Sequence, residues 1–195
     1  MIAENLLVEY QAELIVYSEN DRVFAENQSA NFYYQIKKGC VKMYNLNENG
    51  KEFIQGLFYE GESFGEPPLF GDFKYPASAV AIADTEIYKL GKQKCMDLLK
   101  NNFEIQLAFL ATLSRRLSYK AMIMKEISVH PPEHRILTFL DFLKKRDGNS
   151  STYKLDLTRQ QIADLTGLRV ETVIRACKQL EFQAEIEIIK HKIYR

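Results

Sequence analysis

No apolar run in this sequence approaches the roughly 18 residues that a membrane-spanning helix needs. The opening stretch, MIAENLLVEYQAELIVY, carries acids and no basic segment. It therefore lacks the makings of a secretory leader, and a cytoplasmic setting with no membrane partner is expected. Cysteine is scarce too. Cys40, Cys95 and Cys177 are odd in number and far apart, which suits reduced thiols better than a disulfide framework. Net charge is likewise absent, with 26 basic and 26 acidic residues, but only until the chain is divided. Residues 1–96 hold nine Lys/Arg against fourteen Asp/Glu, and residues 97–195 hold seventeen against twelve. An acidic front and a basic back imply two modules, of which the second would be drawn to a polyanion.

What is present in the first ninety residues reads as β-structure. FYYQIKKG and CVKMYNL are short and rich in aromatic and β-branched residues, with Gly39 between them. Asn49-Gly50, between CVKMYNLNE and KEFIQGLFY, signals a hairpin in which both turn residues tolerate positive φ. Gly61, Gly65 and Gly71 crowd the next loop, and ASAVAIADTEIYKL supplies further strand-like sequence. Many short strands with glycine turns imply a sandwich or roll.

Near Lys92 the period becomes helical. CMDLLK is an amphipathic turn, and Asn101-Asn102 looks like a break. From Phe103 to about Ser128 there is no Gly or Pro. Phe103, Leu107, Leu110, Leu117, Ala121 and Met124 recur there at three- and four-residue spacing, interleaved with Arg115, Arg116, Lys120 and Lys125. Such a rod, roughly 39 Å long, could be a core helix, but a narrow stripe of this length suits packing on a copy of itself. Pro131-Pro132 ends the rod. EHRILTFLDFLKKR is a second amphipathic helix, and DGNSSTY is a polar loop.

The most informative stretch is LTRQQIADLTGLRVETVIRACKQLE. Thr158 and Gln161 fit a capping box, and Gly167 permits a tight turn after the helix they open. A second helix follows from Arg169 to about Glu181, burying Val173, Ala176, Cys177 and Leu180. Its opposite face presents Arg169, Val170, Glu171, Ile174, Arg175 and Lys178. Glu171 and Arg175 are one turn apart and could form a surface salt bridge. The same spacing suits base reading, since Arg can bond both acceptors of guanine while Glu accepts from cytosine. Their place early in the second helix of a helix-turn-helix favours double-stranded DNA.

Along nearly its whole length the chain resembles the cyclic-AMP receptor protein and fumarate-nitrate regulator (Crp–Fnr) family. TRQQIADLTGLRVETVIR carries the C-terminal match; the Gly turn after YYQIKKG, NGKEF and GESFGEPPLF carry the N-terminal one. The resemblance implies an α+β chain. Residues 1–96 would be a cyclic-nucleotide-binding-like β-roll (jelly roll), residues 97–129 a dimerisation helix, and residues 130–195 a winged helix-turn-helix. It implies a homodimeric transcription regulator with RNA polymerase as a partner, and Arg115-Arg116-Leu117 matches the dimer helix. Glu171 and Arg175 would read bases, with Val170 where the cyclic-AMP receptor has an arginine; Arg159, Arg169 and Thr172 would lie near phosphates. IEIIKHKIYR resembles the wing, without its usual glycine, and the start is short enough that a leading helix is expected to be missing.

The effector pocket departs from the family's cyclic-AMP pattern. The Arg-Ser pair that grips the cyclic phosphate is matched by Pro76 and Ala77, and the adenine-facing Thr-Ser pair by Lys120 and Ala121. Gly65 and Glu66 remain, but Pro67 and Pro68 remove two amide donors. Cyclic AMP is not the expected effector, and the effector is unknown. No cofactor is expected either: an iron–sulfur cluster needs four ligands, and nothing signals haem. Jelly rolls also host metal-dependent oxygenases and isomerases, but their histidines lie inside the barrel. His130, His134 and His191 all lie outside the β-region, so no catalytic residues are expected. His130 and His134 are four apart, but prolines intervene and no third ligand is evident, so no metal site is expected. The remaining alternative is a β-roll protein-interaction module with a degenerate DNA helix.

Overall fold

Strands β3 (Phe32–Lys38) and β4 (Cys40–Leu46) meet at Gly39, whose φ is +98° and where a Cβ would stand 2.5 Å from Thr85 Oγ1. Only glycine fits that corner. A computed structural model describes residues 2–148 and 152–195 of the chain, which divides into two compact units, Met1–Arg115 and Arg116–Arg195.

The first unit is built of two antiparallel four-stranded sheets. One contains β1 (Glu13–Tyr17), β8 (Thr85–Gly91), β3 and β6 (Ser63–Phe64), in the order β1-β8-β3-β6. The other runs β2-β7-β4-β5, with β2 Arg22–Phe24, β7 Ser78–Ala81 and β5 Glu52–Tyr59. Alternating strands supply the core between them: Tyr33, Ile36, Val41, Phe64, Ile87 and Leu90 are each 0% exposed. The β4–β5 hairpin forms as expected, pairing Leu46 with Glu52. Its turn does not use positive φ at both central residues, however; of the pair only Gly50, at +74°, is left-handed. Asn47 closes it instead, its Oδ1 accepting from the amides of Asn49 and Lys51 at 3.0 and 2.9 Å.

Strands β1 and β2 form on ELIVY and RVF, short β-branched segments outside the strand-like stretches named from the sequence. A leading helix is also present, contrary to expectation: α1 (Glu4–Glu9) buries Leu7. A buried clasp holds the segment before it. Gln35 Nε2 donates to the Ile2 carbonyl at 2.9 Å, while its Oε1 accepts from the Ile2 amide and the Tyr33 hydroxyl. A short helix α2 (Pro67–Gly71) follows β6, and α3 (Lys92–Asn101) follows β8, ending at Asn102 where the paired asparagines predict a break.

Helix α4 runs from Phe103 to Val129, and the division between the two units falls within it. No helix among the described residues is long and apolar enough to cross a membrane. In the second unit α5 (Pro132–Arg146) buries Ile136, Phe139, Leu140 and Leu143, an i, i+3, i+4, i+7 stripe. Of the DGNSSTY loop, residues 149–151 lie outside the described residues. Helices α6 (Arg159–Thr166) and α7 (Val170–Phe182) follow, and a three-stranded sheet in the order β10-β11-β9 closes the unit. It comprises β9 (Lys154–Leu155), β10 (Glu187–Ile189) and β11 (Lys192–Tyr194). The β10–β11 turn lacks glycine, so Lys190 and His191 adopt φ of +47° and +66°. Left-handed backbone is costly for side-chain-bearing residues. Replacing the pair with Asn-Gly (Lys190→Asn, His191→Gly) is expected to raise the unfolding free energy by about 1 kcal/mol, measured by urea denaturation.

Candidate nucleic-acid interface and effector pocket

The second unit presents a helix whose two faces differ sharply. On α7, Val173, Ala176, Cys177 and Leu180 are buried at 0–2% exposure, pinning the helix against the domain. A reciprocal capping box fixes α6 before it: the Gln161 amide donates to Thr158 Oγ1 at 3.1 Å, and the Thr158 amide to Gln161 Oε1 at 2.9 Å. Gly167 then ends α6 at φ +70°, and its left-handed turn redirects the chain into α7 through Arg169. Such a strand-free, two-helix joint with a glycine turn is a helix-turn-helix.

The outward face of α7 carries every residue expected to meet DNA from that helix. Glu171, Arg175 and Lys178 are exposed, and Val170 and Thr172 are half-buried beside them. Arg169 stands exposed at the N-cap, and Arg159 is half-buried at the start of α6. The competing salt-bridge reading of Glu171 and Arg175 fails. Among the described residues neither head group has a charged partner within 4.0 Å. Two opposite charges one turn apart, left unpaired on an anchored helix, are available to a ligand's edge.

The first unit places Gly65, Glu66, Pro76 and Ala77 around one loop. Glu66 is 1% exposed and accepts from the Ser63 hydroxyl. Prolines occupy the first two positions of α2, and the next amide, Leu69, already donates to the Glu66 carbonyl at 2.9 Å. Ala77 is fully buried, and Pro76 offers only its carbonyl, which accepts from Asn45 Nδ2 at 2.6 Å. Over Gly65 lies an aromatic stack, Phe24 on Tyr75 with centroids 3.8 Å apart. The Phe24 ring approaches so closely that a Cβ on Gly65 would meet it at 2.9 Å. Tyr34 and Phe64 extend the cluster, and burial pushes the Tyr34 hydroxyl up to about 12. Sequence reasoning did not single out Phe24 or Tyr75, since only the fold brings residues so distant in sequence together. Lys120 belongs to the second unit; desolvation, then the neighbouring Arg116, lower its ammonium pKa.

Residues 14–102 match the cyclic nucleotide-binding domain, and residues 134–194 match the Crp-like helix-turn-helix domain. The chain belongs to the Crp/Fnr family of transcription regulators. Transcriptional activatory protein AadR of Rhodopseudomonas palustris is 28% identical, over 91% of this chain and 75% of its own length. The cAMP-activated global transcriptional regulator CRP of Pasteurella multocida is 29% identical over 85% of this chain and 81% of its own. In fold, this Crp/Fnr regulator is similar to FixK2 from Bradyrhizobium japonicum, with a TM-score of 0.76 at 24% identity, covering 93% and 91% of the two chains.

Thiol chemistry gains no support in this regulator. Burial pushes Cys95 up to about 12 and, with Glu62 adding to it, Cys40 up to about 11; Cys177 is raised by burial as well. Reactive cysteines have depressed pKa values, so these are packing residues. A third potential ligand does stand beside His130 and His134: Glu126, on the last turns of α4. The spacing of four between 126, 130 and 134 carries the signal in the sequence, although Pro131-Pro132 interrupts the helical register there.

Proposed function

We propose that this regulator acts in the cytoplasm as a homodimer that binds a palindromic operator with TTGA-like half-sites, and that cyclic AMP does not gate it. The observation that carries the reading is the unpaired Glu171–Arg175 couple on the exposed face of an otherwise buried helix. Arg175 would take the two acceptors of a guanine and Glu171 a cytosine amino group, with Val170 against a thymine methyl. Arg159, Arg169 and Thr172 would hold phosphates and set the helix in register. A degenerate DNA helix would have no reason to keep both charges unpaired, which disfavours the protein-interaction alternative. RNA polymerase as a partner rests on relatives such as AadR, which is named an activator. Binding, not catalysis, is the activity proposed.

The dimer seam would be α4. Phe103, Leu107, Leu110, Leu117 and Met124 are 44–71% exposed in the single chain, and Ala121 is exposed with them. Their spacing of four, three, seven, four and three is a heptad register with Ser114 at the intervening position.

Against cyclic AMP stands the chemistry of the loop. A cyclic phosphate brings a charge that is costly to bury unless paired. Pro76 supplies neither charge nor donor, Ala77 no hydroxyl, and the Phe24–Tyr75 stack occupies the space over Gly65. Lys74 is the nearest cation in the loop, but an ammonium does not reproduce a bidentate guanidinium grip. The unknown effector is therefore expected to be uncharged or cationic, if the dimer is not constitutively competent.

Two measurements test this reading. In vitro selection is expected to return an inverted repeat of TTGA-like half-sites centred about one helical turn apart. A non-palindromic site, or one without the TGA core, would sink the operator assignment. Calorimetry with cyclic AMP and cyclic GMP is expected to show no binding tighter than about 100 µM. Tighter binding of either would mean that the aromatic stack opens to admit a nucleotide.

A further inference from the structure

Where α4 ends, the chain turns sharply and its last side chains converge. Glu126 is 5% exposed, a buried carboxylate. Its Oε2 lies 2.7 Å from His134 Nδ1, and its Oε1 lies 4.0 Å from His130 Nε2. The two imidazoles stack with centroids 4.0 Å apart and planes 20° from parallel. Pro131 and Pro132 create this geometry instead of preventing it, because they turn the chain so that the first turn of α5 returns beside the last turns of α4.

We propose that Glu126, His130 and His134 form a binding site for a divalent transition-metal ion of the zinc class. One ligand atom from each residue lies within 4.8 Å of the other two. In a tetrahedral zinc site, with metal–ligand bonds of about 2.0–2.1 Å, ligand atoms stand about 3.3 Å apart. Imidazole lone pairs lie in the ring plane, so both rings must turn out of their stack to meet one ion; the side chains of His130 and His134, 27% and 48% exposed, have solvent beside them for that rotation. The ion would displace the proton of the His134–Glu126 hydrogen bond to solvent and draw His130 Nε2 toward the same point. Two imidazoles and a carboxylate select zinc, nickel or copper over calcium or magnesium, which prefer sites made wholly of oxygen.

The frame around the site is already set. The Arg135 guanidinium donates to the carbonyls of Ile127 and His130, at 2.7 and 2.8 Å, fixing the end of α4. The His130 amide still donates to the Glu126 carbonyl at 3.2 Å, holding those two residues one turn apart. Three protein ligands leave a fourth position for water, so the site is open and not a closed structural one. An ion there ties the end of α4 to the start of α5 across the two prolines.

The test is calorimetric titration of zinc sulfate into the full-length protein after chelator treatment, repeated with cobalt(II) to read the ligand field in the visible spectrum. One ion per chain is expected, with a cobalt band of tetrahedral or five-coordinate intensity. Losing an outer-shell partner alone costs about 10–100-fold in metal affinity. His134→Ala, which removes a ligand, is therefore expected to cost at least about 100-fold and to abolish the cobalt band, with circular dichroism unchanged because the ring is half-exposed. Glu126→Gln is expected to do the same while keeping the buried volume, and His191→Ala, in the wing, to leave binding intact. Absence of saturable binding, or its survival in His134→Ala, would show that the three side chains are only an ion pair with a stacked neighbour.

Discussion

Leu110→Glu combined with Leu117→Glu is expected to give a monomer by light scattering and to abolish operator binding. The two leucines are 60% and 71% exposed in the single chain, so their substitution leaves each unit's own core untouched. Circular dichroism should therefore not change. In a paired α4 the same side chains would be buried on both copies. Burying a leucine contributes roughly 1.5–3 kcal/mol, so four of them contribute roughly 6–12 kcal/mol to association. Substitution by Glu removes that contribution and adds carboxylates that cannot be buried unpaired. One α7 would then meet one half-site, without the second contact that makes an inverted repeat a strong site. A dimeric double variant, or an unmutated protein that is monomeric at micromolar concentration, contradicts the seam.

Arg175→Ala is expected to weaken operator binding by about 1–3 kcal/mol, roughly 5–150-fold, and to relax selectivity at the guanine. Folding should be unaffected, since Arg175 is exposed and among the described residues holds no partner. The informative comparison is Arg159→Ala. A phosphate contact weakens all sequences alike and lowers the salt slope by about one, whereas loss of a base contact leaves the slope nearly unchanged and flattens the sequence preference. Competition assays across single-base operator variants at two salt concentrations separate the two. Equal loss on every sequence for Arg175→Ala would move that residue from reading bases to holding the backbone.

Local signals were the ones the sequence made legible. The Thr158–Gln161 box, the Gly167 turn, the Asn101-Asn102 break and the prolines after α4 each act over a few residues, and each stands where its chemistry requires. Strands β1 and β2 were less legible: ELIVY and RVF carry β-branched residues, but they are only five and three residues long and pair with β8 and β7 far along the chain. The aromatic stack over Gly65 was hidden for the same reason: Phe24 and Tyr75 come from distant segments. Glu126 was missed differently. Its spacing from His130 was visible, but a double proline ordinarily ends register, and only the observed bend shows the rings returning to it. On α7 the exposed charges were readable, while their lack of mutual pairing needed side-chain positions.

The three thiols, Cys40 half-buried and Cys95 and Cys177 buried, have a practical consequence. With Cys40 pushed up to about 11, only about one such thiol in ten thousand is ionised at neutral pH, and Cys95 and Cys177 sit deeper still. Maleimide and methanethiosulfonate reagents, which need thiolate, are expected to react slowly with the native protein. A cysteine introduced at the exposed Lys178 is expected to label far faster than the three native thiols. In the proposed dimer, a spin label there would turn the separation of the two α7 helices into a spectroscopic length, to be compared with the 34–36 Å of one DNA turn. The regulator is thus a ready host for distance measurements, with and without operator, in its otherwise unaltered sequence.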